Sequence, residues 1–194
     1  ALYRRVVVWE TPSGKKVTIA HCGRGEGCKE RISAFAGWIE SAAAIYQIDQ
    51  WILGGMAFHE SGLNPFAKGS IGERGILQLH PKGVGRNIDF VKNKAFRKAC
   101  RKEPGACQDA VIMAAAKLLR SGIDKCGSLQ KGLGYYNTGR CAATKYSKRV
   151  IYQAKQLRAL VPGSAAALGL CDYCQSSAES EARKSGLLHC EAPL

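Results

Sequence analysis

The sequence predicts an α+β chain that is mostly helical, and two observations carry this. Two β-branched runs stand at its N terminus, and later segments repeat apolar residues at helical spacing. A chain of 194 residues is long enough for one domain with a substantial core plus appendages.

Taken in order, Tyr3–Trp9 and Lys16–Ala20 are β-branched runs joined by Thr-Pro-Ser-Gly, which predicts a β-hairpin. From Glu30 the pattern turns helical, with Ile32, Phe35 and Ile39 on one face. The apolar stretch that follows runs to Glu60, and Gly62 with Asn64-Pro65 is expected to stop it. Residues 66–81, rich in Gly and Ser, read as loop with short strands. Helical spacing returns over 89–103 and 108–121, and again from Val150 to Val161 before Pro162-Gly163. The resulting division is a hairpin extension over 1–30, a helical domain over 31–162 and a cysteine-containing C-terminal tail over 163–194.

Lys and Arg number 29 against 15 Asp and Glu, a formal charge of +14, so the surface attracts polyanions through fields that salt weakens. The cations are spread along the chain with one local cluster, Arg97-Lys98 and Arg101-Lys102. No nucleic-acid-binding motif accompanies them, so no specific nucleic-acid partner is expected. No apolar run reaches the length of a membrane span. The cysteines point to an oxidising compartment, secreted or periplasmic. Their spacing suggests local bridges Cys22–Cys28, Cys100–Cys107 and Cys126–Cys141. Cys171, Cys174 and Cys190 leave an odd count. With His189 they match a zinc set, but one disulfide plus a single thiol is the favoured reading, and no metal or cofactor is expected.

Glu60 is the first candidate for chemistry. At about 100° per residue, Ile45, Ile48, Ile52, Leu53 and Met56 share an arc that includes Glu60. A carboxyl held against apolar surface resists ionisation, so it stays protonated near neutral pH and can serve as a general acid. An ordinary solvated Glu at a helix end is the alternative from this segment alone. His59 reads as structural or groove-lining. No His-x-x-x-His pair and no Gly-x-Ser-x-Gly elbow is present.

Four segments in order extend the argument: Glu60-Ser61, Gly75-Ile76-Leu77-Gln78, Tyr135-Tyr136-Asn137-Thr138-Gly139, and Tyr146-Ser147-Lys148-Arg149-Val150. Together they resemble the signature of the soluble lytic transglycosylase and goose-type lysozyme superfamily, over roughly residues 35–160. The resemblance implies a lysozyme-like fold and cleavage of the β-1,4 bond between N-acetylmuramic acid and N-acetylglucosamine in peptidoglycan. It makes Glu60 the acid and then the base. It also implies that Ser61, Gln78, Tyr136, Asn137 and Tyr146 bind the glycan or hold the acid. Tyr146 matches the family tyrosine that reaches the catalytic carboxyl. Glycan strands and the anionic wall surface become the expected partners of what is expected to be a monomer.

Three departures bear on mechanism. Glu73 stands where the family more often has Ala, and three readings of it stay open: a second carboxylate for hydrolysis, a sugar-binding group, or an ion pair with Arg74. His80 stands where goose-type lysozymes commonly have Asp, which favours anhydro-forming transglycosylation over hydrolysis. Ser147 replaces the family Val. A true lysozyme and a non-catalytic glycan-binding module remain the competing readings.

Overall fold

The computed structural model describes residues 9–10, 16–17 and 28–161. Trp9–Glu10 (β1) and Lys16–Val17 (β2) pair antiparallel, with Trp9 opposite Val17. The rest of the expected hairpin, the Cys22–Cys28 pair and the whole 163–194 tail lie outside the described residues. Among the described residues seven α-helices make up most of the rest, and none of them is long and apolar enough to cross a membrane.

Helix α1 (Cys28–Tyr46) buries Ile32, Phe35, Ile39, Ala42 and Ala43 at three- and four-residue spacing against α2 (Gln50–Ser61) and α5 (Asp109–Cys126). Helix α2 is the central one, since every residue from Ile52 to Ala57 is buried. Its start is fixed by Asp49, whose Oδ1 accepts the Trp51 N–H at 2.8 Å while Oδ2 pairs with Arg158. Its end is fixed by Gly62 in the left-handed region at φ 58°.

The apolar stretch leading to Glu60 is therefore not one helix. Helix α1 stops at Tyr46, Gln47 turns left-handed at φ 51°, and Asp49 restarts the chain as α2. The break resets the angular phase, and Ile45, expected on the Glu60 arc, is 63% exposed. Ile48, Ile52, Leu53 and Met56 are buried as expected.

The stretch expected as one helix over 89–103 is also divided. A 3-10 turn (Val84–Asn87) leads to α3 (Asp89–Lys92) and α4 (Lys94–Ala99). Between these two helices Asn93 leaves helical geometry, and its side chain caps the N–H groups of Ala95 and Phe96. Helix α5 buries Val111, Ile112, Ala115, Ala116 and Leu119. Helix α6 (Leu129–Thr138) was not expected, because Gly132 and Gly134 lower its helix propensity. Packing demands glycine there: a Cβ on Gly132 would lie 2.6 Å from Ile123 of α5.

Helix α7 (Lys145–Ala159) packs on α2, and the two backbones meet at Gly55, where a Cβ would lie 2.9 Å from the Val150 carbonyl oxygen. Thr144 and Ser147 form a reciprocal capping box at its start. Ser147 is fully buried and its hydroxyl accepts the Thr144 N–H at 3.1 Å, which accounts for the departure from Val. Two expected disulfides are formed, Cys100–Cys107 after α4 and Cys126–Cys141, which brackets α6. Each closes a short loop and contributes about 2–3 kcal/mol by restricting the unfolded chain.

Candidate active site

Glu60 occupies the last turn of α2, beside a groove of about 680 Å³. Burial raises its pKa from the ordinary carboxylate value to about 7. A side-chain interaction with the Tyr146 hydroxyl pulls it partly back, and the negative charge of Glu73 pushes it up. Near neutral pH the carboxyl is thus divided between its two forms.

Tyr146, in the first turn of α7, is 8% exposed. Its hydroxyl is shielded from solvent and makes no well-formed hydrogen bond, so its interaction with Glu60 is a looser approach. Its ring stacks on Tyr136 at 6.4 Å with the planes 8° apart, and His59 packs edge-on at 5.3 Å. Burial first, and then the Glu60 charge, hold both tyrosines well above the usual phenol pKa, so both keep their protons. Burial, and then Arg149, lower the His59 pKa, which favours the neutral imidazole.

The far wall of the groove is the loop expected over 66–81. Arg74 and Leu79 bridge antiparallel through paired backbone hydrogen bonds, and Gly75–Gln78 forms the turn between them. The middle of this turn, Ile76 and Leu77, is fully buried in the core. A turn pushed into apolar surroundings brings backbone polar groups with it, and each needs a partner. The Ile76 N–H donates to Gln108 Oε1 at 3.0 Å, and the Ile76 carbonyl accepts from Ser61 Oγ at 2.9 Å. The Leu77 carbonyl accepts from the Tyr136 hydroxyl at 2.7 Å. Gln78, left-handed at φ 47°, uses its Nε2 to reach the carbonyls of Gly75 and Ala67 at 2.8 and 3.3 Å. Side chains from α2, α6 and the α5 N-terminus thus grip one buried turn.

This arrangement gives the sequence candidates distinct positions. Glu60, Glu73, Gln78, Tyr136 and Asn137 line the groove, together with His80. Ser61 is instead turned to the backbone, within hydrogen-bond reach of the Ala57 and Ile76 carbonyls. Asn137, expected in a turn, sits exposed in the last turn of α6 just before the left-handed Gly139. Glu73 makes no ion pair with Arg74. Its Oε2 accepts the Ile71 N–H at 3.1 Å, and it faces the groove while Arg74 does not. His80 accepts the Lys82 N–H on Nδ1 at 3.2 Å. Gln108, fully buried, is the residue that sequence reading missed: a single Gln between Cys107 and Asp109 carries no pattern. Among the described residues no group of three His, Cys, Asp or Glu side chains could hold a metal ion. Cys171, Cys174, His189 and Cys190 lie outside them.

A buried carboxyl with a raised pKa beside a groove, with aromatic and amide groups around it, is an arrangement that can hold a proton near neutral pH for transfer to a bound molecule. Residues 37–158 match the Transglycosylase SLT domain, and the chain belongs to that family. The family is that of the lytic transglycosylases, and the chain is an enzyme that acts on peptidoglycan. No solved structure matches the chain.

Proposed function

We propose that the protein cleaves the β-1,4 bond between N-acetylmuramic acid and N-acetylglucosamine by transglycosylation, with Glu60 as acid and then base. The observation that carries this reading is the Glu60 carboxyl, held to a pKa of about 7 at the edge of the groove. Protonated Glu60 delivers its proton to the bridging oxygen as the bond to the anomeric carbon breaks. Positive charge builds on the sugar ring, and the carboxylate left behind opposes it. The sugar's own C6 hydroxyl then attacks the anomeric carbon, Glu60 takes the hydroxyl proton, and a 1,6-anhydro ring closes. The carboxyl is restored without a water molecule being consumed.

In this reading residues 31–162 form the catalytic domain. Tyr146 positions Glu60, while Gln78 and Asn137 meet hydroxyl or N-acetyl groups of the glycan. Gln78 still has its carbonyl oxygen for that purpose, since its Nε2 is engaged with backbone. Ser61 and Tyr136 act by holding the turn that forms the groove wall. The disulfides support an oxidising, extracytoplasmic setting, and the net charge of +14 supports attraction to an anionic wall.

One observation favours a second reading, a true lysozyme. Glu73 lines the same groove and its charge is felt at Glu60, as a second carboxylate that activates water would be. Mass spectrometry of the soluble products from purified peptidoglycan separates the two. Products ending in 1,6-anhydromuramic acid, lighter by one water, are expected. Reducing-end products would replace transglycosylation with hydrolysis, and no products from any wall type would leave only a glycan-binding module.

A further inference from the structure

A second concavity of about 680 Å³ lies apart from the groove, and its chemistry is opposite. It is lined by Phe66, Arg74, Lys94, Arg97, Lys98 and Arg101, with Ala95 between them. Five cations surround it, no carboxylate does, and none of the five has an acidic partner among the described residues. The cluster is also built. Arg97 is fixed by donating to the Phe90 and Val91 carbonyls at 2.9 and 2.7 Å, and Arg101 lies 5.4 Å above the Phe66 ring. Phe66 in turn rests against buried Phe90 at 5.9 Å. Burial, and then the like charge of Arg74, lower the Arg97 pKa, so the cations repel one another where they stand.

Unneutralised cations over an apolar floor suit a ligand that alternates carboxylates with small apolar groups. Arg74 adds a positional argument. It follows Glu73 directly, on the loop that walls the groove, so the pocket adjoins the place where the glycan would lie.

We infer that this pocket binds the peptide stem of the glycan strand held in the groove, seating stem carboxylates on Lys94, Lys98 and Arg101 and alanine methyl groups against Phe66 and Ala95. The inference rests on the proposed glycan substrate and names the part of it that is read outside the groove. Its consequence is selectivity. Strands that carry stems bind better than denuded ones, and amidation of the stem carboxylates weakens the preference.

The test titrates the whole 194-residue chain with a free stem tetrapeptide, following the protein's amide NMR signals, and repeats the titration with inorganic phosphate and a short oligonucleotide. The tetrapeptide is expected to shift signals of residues 94–101 and Phe66. Replacing two exposed charges (Lys94→Gln with Lys98→Gln) is expected to weaken it roughly tenfold, about 1.4 kcal/mol for the pair. No shift with the tetrapeptide, or equal binding by the double variant, overturns the inference. So do shifts at these residues produced by phosphate or the oligonucleotide alone, which would assign the pocket to phosphate polyanions. The second measurement is the ratio of kcat/KM on stem-bearing strands to that on amidase-denuded strands, which is expected to fall several-fold in the double variant. Equal losses on both substrates would mean generic charge attraction and overturn the inference. If the protein cuts no glycan at all, the proposed function fails while the peptide titration still reads the pocket.

Discussion

The groove and the cationic pocket are matched in volume and share one loop, yet they treat charge in opposite ways. The groove is lined by Glu60, Glu73 and His80 and by no Lys or Arg, in a protein whose formal charge is +14. The pocket is lined by five cations and no acid. Glu73 and Arg74 mark the divide: consecutive residues of one loop, the first lines the groove and the second the pocket. A cation beside Glu60 would favour the carboxylate and lower its pKa, removing the proton that the proposed chemistry needs. With the pocket's five cations on the other side of the loop, burial is left as the largest influence on the Glu60 pKa.

The largest expected effect breaks the groove side alone. Glu60→Gln should lower the rate of wall cleavage about 10²–10⁴-fold, the usual range for losing a general acid, in an assay of released muropeptides. The same substitution should stabilise the fold at alkaline pH. The folded protein holds the Glu60 proton up to about pH 7, whereas the unfolded chain releases it near 4.5. Wild-type stability therefore rises as pH falls from about 7 to about 4.5, and the variant should lack that dependence. Above pH 7 the gain should be about 3 kcal/mol, read as a higher midpoint in urea. In the wild type, kcat/KM should fall as pH rises through about 7, because the acid must carry its proton.

Gln108→Ala comes next and should damage both sides together. It leaves the buried Ile76 N–H without its acceptor, at about 1–3 kcal/mol in chemical denaturation, and loosens the loop that both concavities use. Equal loss of glycan cleavage and tetrapeptide binding is expected, and loss of only one would show that the loop does not couple them.

Tyr146→Phe and Glu73→Gln are smaller and opposite in sign. Removing the Tyr146 hydroxyl takes away an interaction that lowers the Glu60 pKa, so the alkaline limb of the rate profile should move up. Removing the Glu73 charge takes away one that raises it, so the limb should move down. If both variants shift the limb the same way, the carboxyl's surroundings have been misread.

The helical scaffold was readable in the sequence wherever local spacing settles burial. The faces of α1, α5 and α7 follow from residues such as Phe35, Leu119 and Val150. Two features were not readable, for physical reasons. Helix α6 carries Gly132 where α5 presses against it and Gly134 where the Ala142 carbonyl does, so tertiary packing overrides the local preference that sequence records. The α1–α2 break rests on a left-handed Gln47 and the Asp49 cap, which periodicity over a continuous apolar run conceals. At the site, the resemblance picked out Glu60, Ser61, Gln78, Tyr136, Asn137 and Tyr146 without distinguishing groove from support. That distinction depends on where each donor atom ends, and Ser61 and Tyr136 end on backbone. Gln108 was invisible because its work is done across 32 positions of chain.

The grip on the Ile76–Leu77 turn divides the loop into a fixed root and a replaceable tip. The root, Gly75 to Gln78, is anchored by three other elements of the fold. The tip, Gly69 to Glu73, is held by its own short hydrogen bonds: Gly69 N–H to Glu73 O, Gly72 N–H to Gly69 O, and Ile71 N–H to Glu73 Oε2. Mutation can rewrite such a tip, lengthening it or changing its charge, while the root keeps the groove wall in place. Under the proposed function the molecule thus separates heritable variation in what it recognises from the chemistry it performs, within a stretch of ten residues from Gly69 to Gln78.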